Sequence, residues 1–429
     1  MTVTPDIIAS LVLHQFDQLP TKRKPLVRDN GVHEWVPLSG IVAQDKDNKL
    51  TCLSLATGMK CLPRSKLPKA QGNVLHDWHA EVLAIRAFNR FVLDEVESLS
   101  KGTATSSPYL RRRDEAEVLL PAGGDGGSSR QQQPPTWHAQ PFAWREDVRL
   151  HMYCSEAPCG DASMELTMAA QDDASPWEVS PAALGPSSSG PVPGRSYFSH
   201  LGAVRLKPAR ADAPSTMSKS CSDKMASAEC TSLLSSLASM FVCPSNAYLS
   251  SVILPTSQYS SSGCSRAFSS DGRMGGVEES QRSWGGGYRF QEFAVNTTDL
   301  EFKWSKRSVE ARVQGEKGKL GASNLAVAWT GRGLEETTLG GTLQGRKAFD
   351  PKGASVVSRR RMWALSLEIA GVLGISMVLA QKALASQSYK DVKGSKLFEA
   401  RRQVKQDVRS HALKGWARNE GDDNFSLEL

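Results

Sequence analysis

The stretch "HDWHAEVLAIRAFNRFVLDEV", residues 76–96, decides the fold. Its apolar residues fall at 82, 83, 85, 88, 91, 92 and 96, the spacing of a helix with one buried face. Two strand signals stand before it, "WVPLSGIVAQD" (35–45) and "LTCLSLATG" (50–58), meeting near "DKDN". After it, "VRLHMYCSEA" (148–157) reads as a strand. "PCGDASMELTMAA" (158–170) reads as a helix, with Pro at its start and Asp161 and Glu165 in its early turns. A further helix is predicted over 221–241, a strand over 247–255 and a long helix over 388–411. Strands alternating with helices predict an α/β layered domain, with 1–429 as a single unit.

Composition bounds the rest. The 429 residues are 40% hydrophobic, enough for a core, and carry a net charge of +7, which suits a polyanionic partner. The eight cysteines have no regular spacing. A chain of this size does not need disulfides, so reduced thiols in an intracellular protein (nucleus or cytoplasm) are expected. The N-terminal "MTVTPDIIASLVLHQF" carries Asp6 and no basic region, so it reads as an amphipathic helix and not a signal peptide. "MWALSLEIAGVLGISMVLAQKA" (362–383) is interrupted by Glu368, and its uncharged remainder is too short to span a bilayer. It reads as a buried helix, with no membrane partner. Residues 101–145, 171–197 and 257–288 are rich in Gly, Ser, Pro or Gln and poor in branched apolar residues. They are expected to be disordered surface insertions.

His79 and Glu81 open the deciding stretch two residues apart, and Pro158-Cys159 stands at a second expected strand-to-helix junction. Alone, either pair is ordinary; an H-x-E is common on helix starts. Together and in this order they match the first parts of the zinc-deaminase signature, H-x-E then P-C-x-x-C. Such a site needs three protein ligands, an open position for water and a carboxylate beside that water. The signature then fails, because Ala162 stands where its second cysteine belongs. A third ligand must come from elsewhere. Cys221, in "SKSCSDKMA" at another helix start, is the best placed, with Cys154, Cys230 and Cys243 as alternatives.

"HDWHAEVLAIRAFNRF", "SEAPCGDAS" and "SCSDK", followed by "GWARNEGDDNFSL" at 415–427, resemble the adenosine-to-inosine RNA editing deaminases. The resemblance covers 35–427. It implies a cytidine-deaminase-like fold, a mixed central sheet flanked by helices, with His79, Cys159 and Cys221 on zinc and Glu81 as the proton shuttle. It also implies a buried inositol hexakisphosphate, reached by Asp77, Arg86, Lys224, Tyr389, Lys393, Trp416 and Asp423. Lys60, Lys207 and Arg210 would meet the substrate. Ser227, where the family often has an arginine, departs from the pattern. Only 34 residues precede "EWVPLSG", too few for a double-stranded-RNA-binding module. The pattern is similar to the tRNA branch, whose fungal members act next to the anticodon, at position 37 of alanine tRNA. The expected partner is therefore a tRNA anticodon loop, met by a monomer. The rival readings are an editor of double-stranded RNA, a non-catalytic module binding RNA or inositol phosphate, and a deaminase of free nucleosides or cytidine.

Overall fold

The computed structural model describes residues 2–119, 137–170, 192–193, 200–207, 213–314 and 318–428. Thr4 caps α1 (Pro5–Asp17), its hydroxyl accepting from the amide of Ile7, and Pro5 occupies the first turn, where a missing N–H costs nothing. Then come β1 (Leu38–Gln44), β2 (Leu50–Thr57), α2 (Ala80–Ser100) and β3 (Arg149–Cys154). They are followed by α3 (Met164–Ala169), α4 (Cys221–Thr231), β4 (Leu249–Pro255), α5 (Ser261–Phe268) and β5 (Ala294–Thr298). The last part holds β6 (Leu325–Thr330), β7 (Glu335–Leu339), β8 (Thr342–Leu343), α6 (Arg359–Leu373), α7 (Val378–Leu384), α8 (Tyr389–Gly394) and α9 (Glu399–Asp407).

The central sheet runs β5-β4-β3-β1-β2-β6-β7-β8. β3, β4 and β5 are parallel to one another, and every other neighbouring pair is antiparallel. The mixed sheet expected from the sequence is therefore present. The two-residue period assigns its faces. On β1, Ile41 and Ala43 join the large core with α2, while Leu38 and Val42 join a second core under α1 with Ile8, Val12 and Phe16. A register shift where Ile41 pairs Ser54 and Val42 pairs Cys52 lets Leu53 and Leu55, of one parity, reach opposite faces. Gly40 is required there, because a Cβ would overlap Val12.

Several expectations change. α2 begins at Ala80, so residues 76–79 lie in the approach to the helix. Pro158 and Cys159 lie in a turn; a short 3-10 turn (Asp161–Ser163) precedes α3, and Gly160 takes φ 108°, which a side chain would resist. The helix predicted over 221–241 stops at Thr231, because Ser232 turns left-handed at φ 58°. The long helix over 388–411 is several pieces, interrupted at Ser395, where the backbone is extended. Residues 257–288 are not an insertion hanging from the surface: Cys264, Ala267, Phe268, Met274 and Val277 are buried in the main core. These five and Trp284 suffice to dock a segment that composition alone reads as unable to fold. Part of 101–145 is also built in, as Leu110–Arg112 pairs with Phe142–Trp144. Residues 120–136 and most of 171–197 lie outside the described residues.

The stretch Arg359–Leu384 is long and apolar enough to cross a membrane, yet Gly374 at φ 64° divides it into α6 and α7. One side, with Met362, Trp363, Ile369, Met377 and Leu384, is buried in the core. The other exposes Val372, Ile375, Val378 and Leu379, so the expected buried helix is buried on one side only.

Candidate active site and buried cationic cluster

Three segments far apart in sequence meet at the ends of β2 and β3. His79 is the cap residue of α2, with extended backbone and no side-chain bond to its own helix, so its ring is free to turn toward the site. Cys221 is the first residue of α4, behind Ser220, whose hydroxyl accepts from the Asp223 amide at 3.1 Å. Cys159 sits in the turn after β3. Its Sγ lies 3.8 Å from His79 Nδ1, and Cys221 Sγ lies 3.7 Å from the same atom. Tetrahedral zinc with N and S ligands at ordinary bond lengths would set N and S about 3.6 Å apart. The donor set and its spacing fit zinc. Cys221 of α4 thus comes within reach of the donors where the sequence lacks a cysteine at 162. The converging helix starts are those of α2 and α4.

The thiols behave as a pair. The hydrogen bond from Cys221 holds Cys159 well below the ordinary thiol range against the effect of burial, while burial and the Cys159 charge push Cys221 well above it. Burial and Lys207 press His79 down, but the Cys159 and Cys61 sulfurs prevail and lift it to about 10. The amide of Cys221 donates to Cys159 Sγ at 3.4 Å and Lys207 Nζ donates to Cys221 Sγ at 3.2 Å, so both sulfurs are held as acceptors.

Glu81 follows His79 by two residues in the first turn of α2 and is 5% exposed. Burial, then the Cys159 charge, raises its pKa. Its carboxylate bears in turn on Cys154 and Cys221, which places it at the cluster. A buried carboxyl with a raised pKa, beside three metal-type donors, is suited to take up and return protons.

Asp77 organises the ground behind the site. One carboxylate oxygen accepts the His79 amide at 3.0 Å; the other accepts from Lys207 at 2.9 Å and also from Ser218 and Lys224. Burial alone would raise its pKa, but the two lysines hold it well below the usual carboxylate range. A second possible donor group, Cys61, Asp77 and His79, shares the histidine. With both Asp77 oxygens already engaged, the set with Cys159 and Cys221 is the better one for a metal.

Beyond Lys224 the interior is cationic. Lys393 Nζ donates to Ser236 Oγ. Burial, then Arg401, Arg359, Arg402 and Arg409, bring its pKa down to about 7. Burial, Arg401, Lys393 and Arg409 push Lys405 well below its ordinary value. Lys219 is brought to about 8 by burial, Lys224 and Arg409; it and Arg409 each lie 5.7 Å from the ring centre of Trp416. Arg86 donates to the Val357 carbonyl at 2.9 Å, and burial and Arg359 lower it to about 10. Tyr389 is raised by burial, against Arg359 and Arg86 nearby. Among the described residues, Lys393, Lys405, Lys219, Arg401 and Arg409 form no ion pair with a carboxylate. Cations gathered inside a protein without counter-charges fit a polyanion in their midst.

Other expected residues land elsewhere. Lys207 is 4% exposed and faces Asp77 and Cys221, behind the candidate metal donors. Lys60 donates to Asn324 on the exposed side. Arg210 lies outside the described residues. Asp423 contributes its backbone carbonyl to the Lys390 amide, whereas its neighbour Asp422 is the buried acid, accepting from His76 at 2.6 Å and from the Gly72 amide at 2.8 Å. Sequence reasoning missed Asp422, since nothing in "GDDNF" separates the two aspartates. It also missed Lys219, which the flanking motif overshadowed.

Comparison with known proteins agrees with this geometry. The adenosine-deaminase (editase) domain family matches residues 54–122 and 127–420. The tRNA-specific adenosine deaminase 1 of Schizosaccharomyces pombe is 34% identical over 423 residues, 97% of this chain and 96% of that protein. The human protein of the same name is 25% identical over 413 residues, 76% of this chain and 80% of its own length. The double-stranded RNA-specific adenosine deaminase of mouse is 25% identical over 124 residues, 29% of this chain and 8% of that protein.

Proposed function

Because the chain belongs to the adenosine-deaminase (editase) family, we propose that it hydrolyses adenosine to inosine in tRNA, at position 37 of alanine tRNA, using zinc. The observation that carries this reading is the meeting of His79, Cys159 and Cys221 around one point with buried Glu81 beside it. The near full-length likeness to proteins named for tRNA supports the substrate class.

His79 Nδ1 and the two sulfurs would hold Zn2+. When bound, the ion supplies a Lewis acid that lowers the pKa of a coordinated water from ~15.7 to about 7. Glu81 accepts the two protons of the attacking water in turn, passing the first to N1 of the purine and the second, from the hydroxyl formed at C6, to the departing amine. Adenosine and water thus become inosine and ammonia. Its burial raises the carboxyl's pKa, which favours holding the proton between those transfers. Lys207 and the Cys221 amide stabilise the thiolate charges. The target base must leave its stack to reach this depth, which costs least in a single-stranded anticodon loop.

The cationic cluster would hold inositol hexakisphosphate, with Lys393, Lys405, Arg401, Arg409, Lys219 and Trp416 around it. All eight cysteines are free thiols, which supports a reducing, intracellular location. The test is to incubate the purified protein with alanine tRNA, other tRNAs and double-stranded RNA, and to map inosine by sequencing. Inosine at position 37 of alanine tRNA is expected. Inosine confined to the double-stranded substrate would overturn the tRNA assignment.

A further inference from the structure

Each of the two candidate cysteine ligands is followed, two residues later, by an aspartate: Cys159-Gly160-Asp161 and Cys221-Ser222-Asp223. Both aspartates are fully buried. An ionised carboxylate cannot be buried without partners. Each here is met by an arginine from one segment, the part of 257–288 that composition marks as an insertion. Arg266, on α5, donates through Nε to Asp161 Oδ2 at 3.2 Å and through Nη2 to the Asp161 carbonyl at 2.8 Å. It also grips Glu165 on α3 at 2.5 and 3.1 Å. Arg273, seven residues on, donates to Asp223 Oδ1 at 2.7 Å and anchors its own Nε on the Ala267 carbonyl at 3.0 Å. The remaining aspartate oxygens are used locally. Asp161 Oδ1 accepts the Gly202 amide at 2.8 Å, and Asp223 Oδ2 accepts the Ser220 hydroxyl at 2.6 Å and the Arg205 amide at 2.9 Å.

We propose that Arg266 and Arg273 are positioning residues for the metal: one segment clamps both cysteine-bearing turns and sets the Cys159-to-Cys221 spacing. The turns are 62 residues apart in sequence and come from different elements, so no single helix fixes their distance. Direct ties between them run through Cys221, whose amide donates to Cys159 Sγ at 3.4 Å, and through Ser222, whose amide donates to the Cys159 carbonyl at 3.0 Å and whose hydroxyl donates to the Pro158 carbonyl at 2.9 Å and accepts the Ala162 amide at 3.2 Å. Two arginine brackets on a common support add stiffness to these short links. Supporting partners of this kind change metal affinity by about 10–100-fold when removed.

The inference rests on the zinc reading, and the experiment separates the two. Zinc affinity is measured by chelator competition for the wild type and for Arg266→Met, Arg273→Met and Arg273→Lys, with thermal melting of each. Arg332→Met is the control. It removes an arginine from another buried carboxylate, Glu95, and so reports plain loss of a buried ion pair. Expected are affinities about 10–100-fold weaker for both methionine variants, partial recovery for Arg273→Lys, and wild-type affinity for Arg332→Met despite a lowered melting temperature. A wild type that holds no zinc would sink the zinc reading. A wild type that binds zinc, with Arg266→Met and Arg273→Met no weaker than Arg332→Met, would overturn the clamp alone. If the methionine variants fail to fold, wild-type affinity in Arg273→Lys, which keeps the charge but loses the fork, overturns it equally.

Discussion

Replacing Lys393 with methionine should reveal by its sign whether a polyanion fills the cationic cluster. In the protein without one, burial and the arginines lower the Lys393 pKa from 10.5 to about 7. A lysine whose folded pKa is depressed opposes folding. The cost is complete below the folded pKa and fades as pH rises to the unfolded value. At 1.36 kcal/mol per unit the cost is about 4 kcal/mol at pH 7 and about 2 kcal/mol at pH 9. The substitution also removes the hydrogen bond to Ser236, worth about 1 kcal/mol. Without a polyanion, Lys393→Met therefore stabilises by about 3 kcal/mol at pH 7 and about 1 kcal/mol at pH 9. With a resident polyphosphate the lysine is charged and paired, and its removal costs about 1.5–3 kcal/mol. Thermal melting of the purified protein distinguishes the cases, since each kcal/mol moves the midpoint by about 2–4 °C in domains of 150–250 residues and by less in a larger chain. The expected result is a midpoint lower in Lys393→Met at pH 7. A midpoint that rises at pH 7, with the gain shrinking at pH 9, would refute the buried polyphosphate.

Glu81→Gln should retain zinc, measured by atomic absorption, and lose inosine formation by at least about 100-fold in single-turnover assays; near-normal turnover would take the proton-shuttle role from Glu81. Cys221→Ala should lose zinc, whereas zinc retained there but lost in Cys61→Ala would move the site to the group of Cys61, Asp77 and His79. Gly160→Ala should lower the melting point and the zinc content together, because φ 108° strains any side chain and the added Cβ would overlap the Ser220 side chain; a variant with both unchanged would show that the turn can relax.

The candidate metal donors were legible because, taken together and in order, they fall on a known signature. His79, Glu81 and Cys159 were readable from spacing. Cys221 was the best placed by context, while its ligand role rested on the resemblance. Strands β1 and β2 were legible from their apolar runs. Residues that hold the site in place were much less so. Arg266 and Arg273 sit in a Ser- and Gly-rich stretch that gives no period, and six buried apolar side chains attach it to the core. Helix ends were misplaced for a similar reason. A left-handed Ser232 and an extended Ser395 are backbone events set by tertiary contact, and serine by itself predicts neither. Asp422 and Asp423 are identical in type, and only burial tells them apart.

The position of Asp77 explains why two demanding sites can share one domain. A cluster of cations destabilises the fold unless anionic charge is supplied, and a pair of thiolates destabilises it unless positive charge is supplied. Asp77 stands between them. Lys207 bridges it to the Cys221 sulfur on one side, and Lys224 carries its charge toward Lys219 and Arg409 on the other. Its second oxygen fixes the His79 amide, and with it the start of α2 that carries Glu81. Loss of a polyanion from the cluster would leave Lys224 repelled by its neighbours and free to pull on Asp77, so the damage would travel to the metal donors through two hydrogen bonds. Under the proposed function, the chain of groups Lys224, Asp77, Lys207 and Cys221 would make metal binding sensitive to what fills the interior.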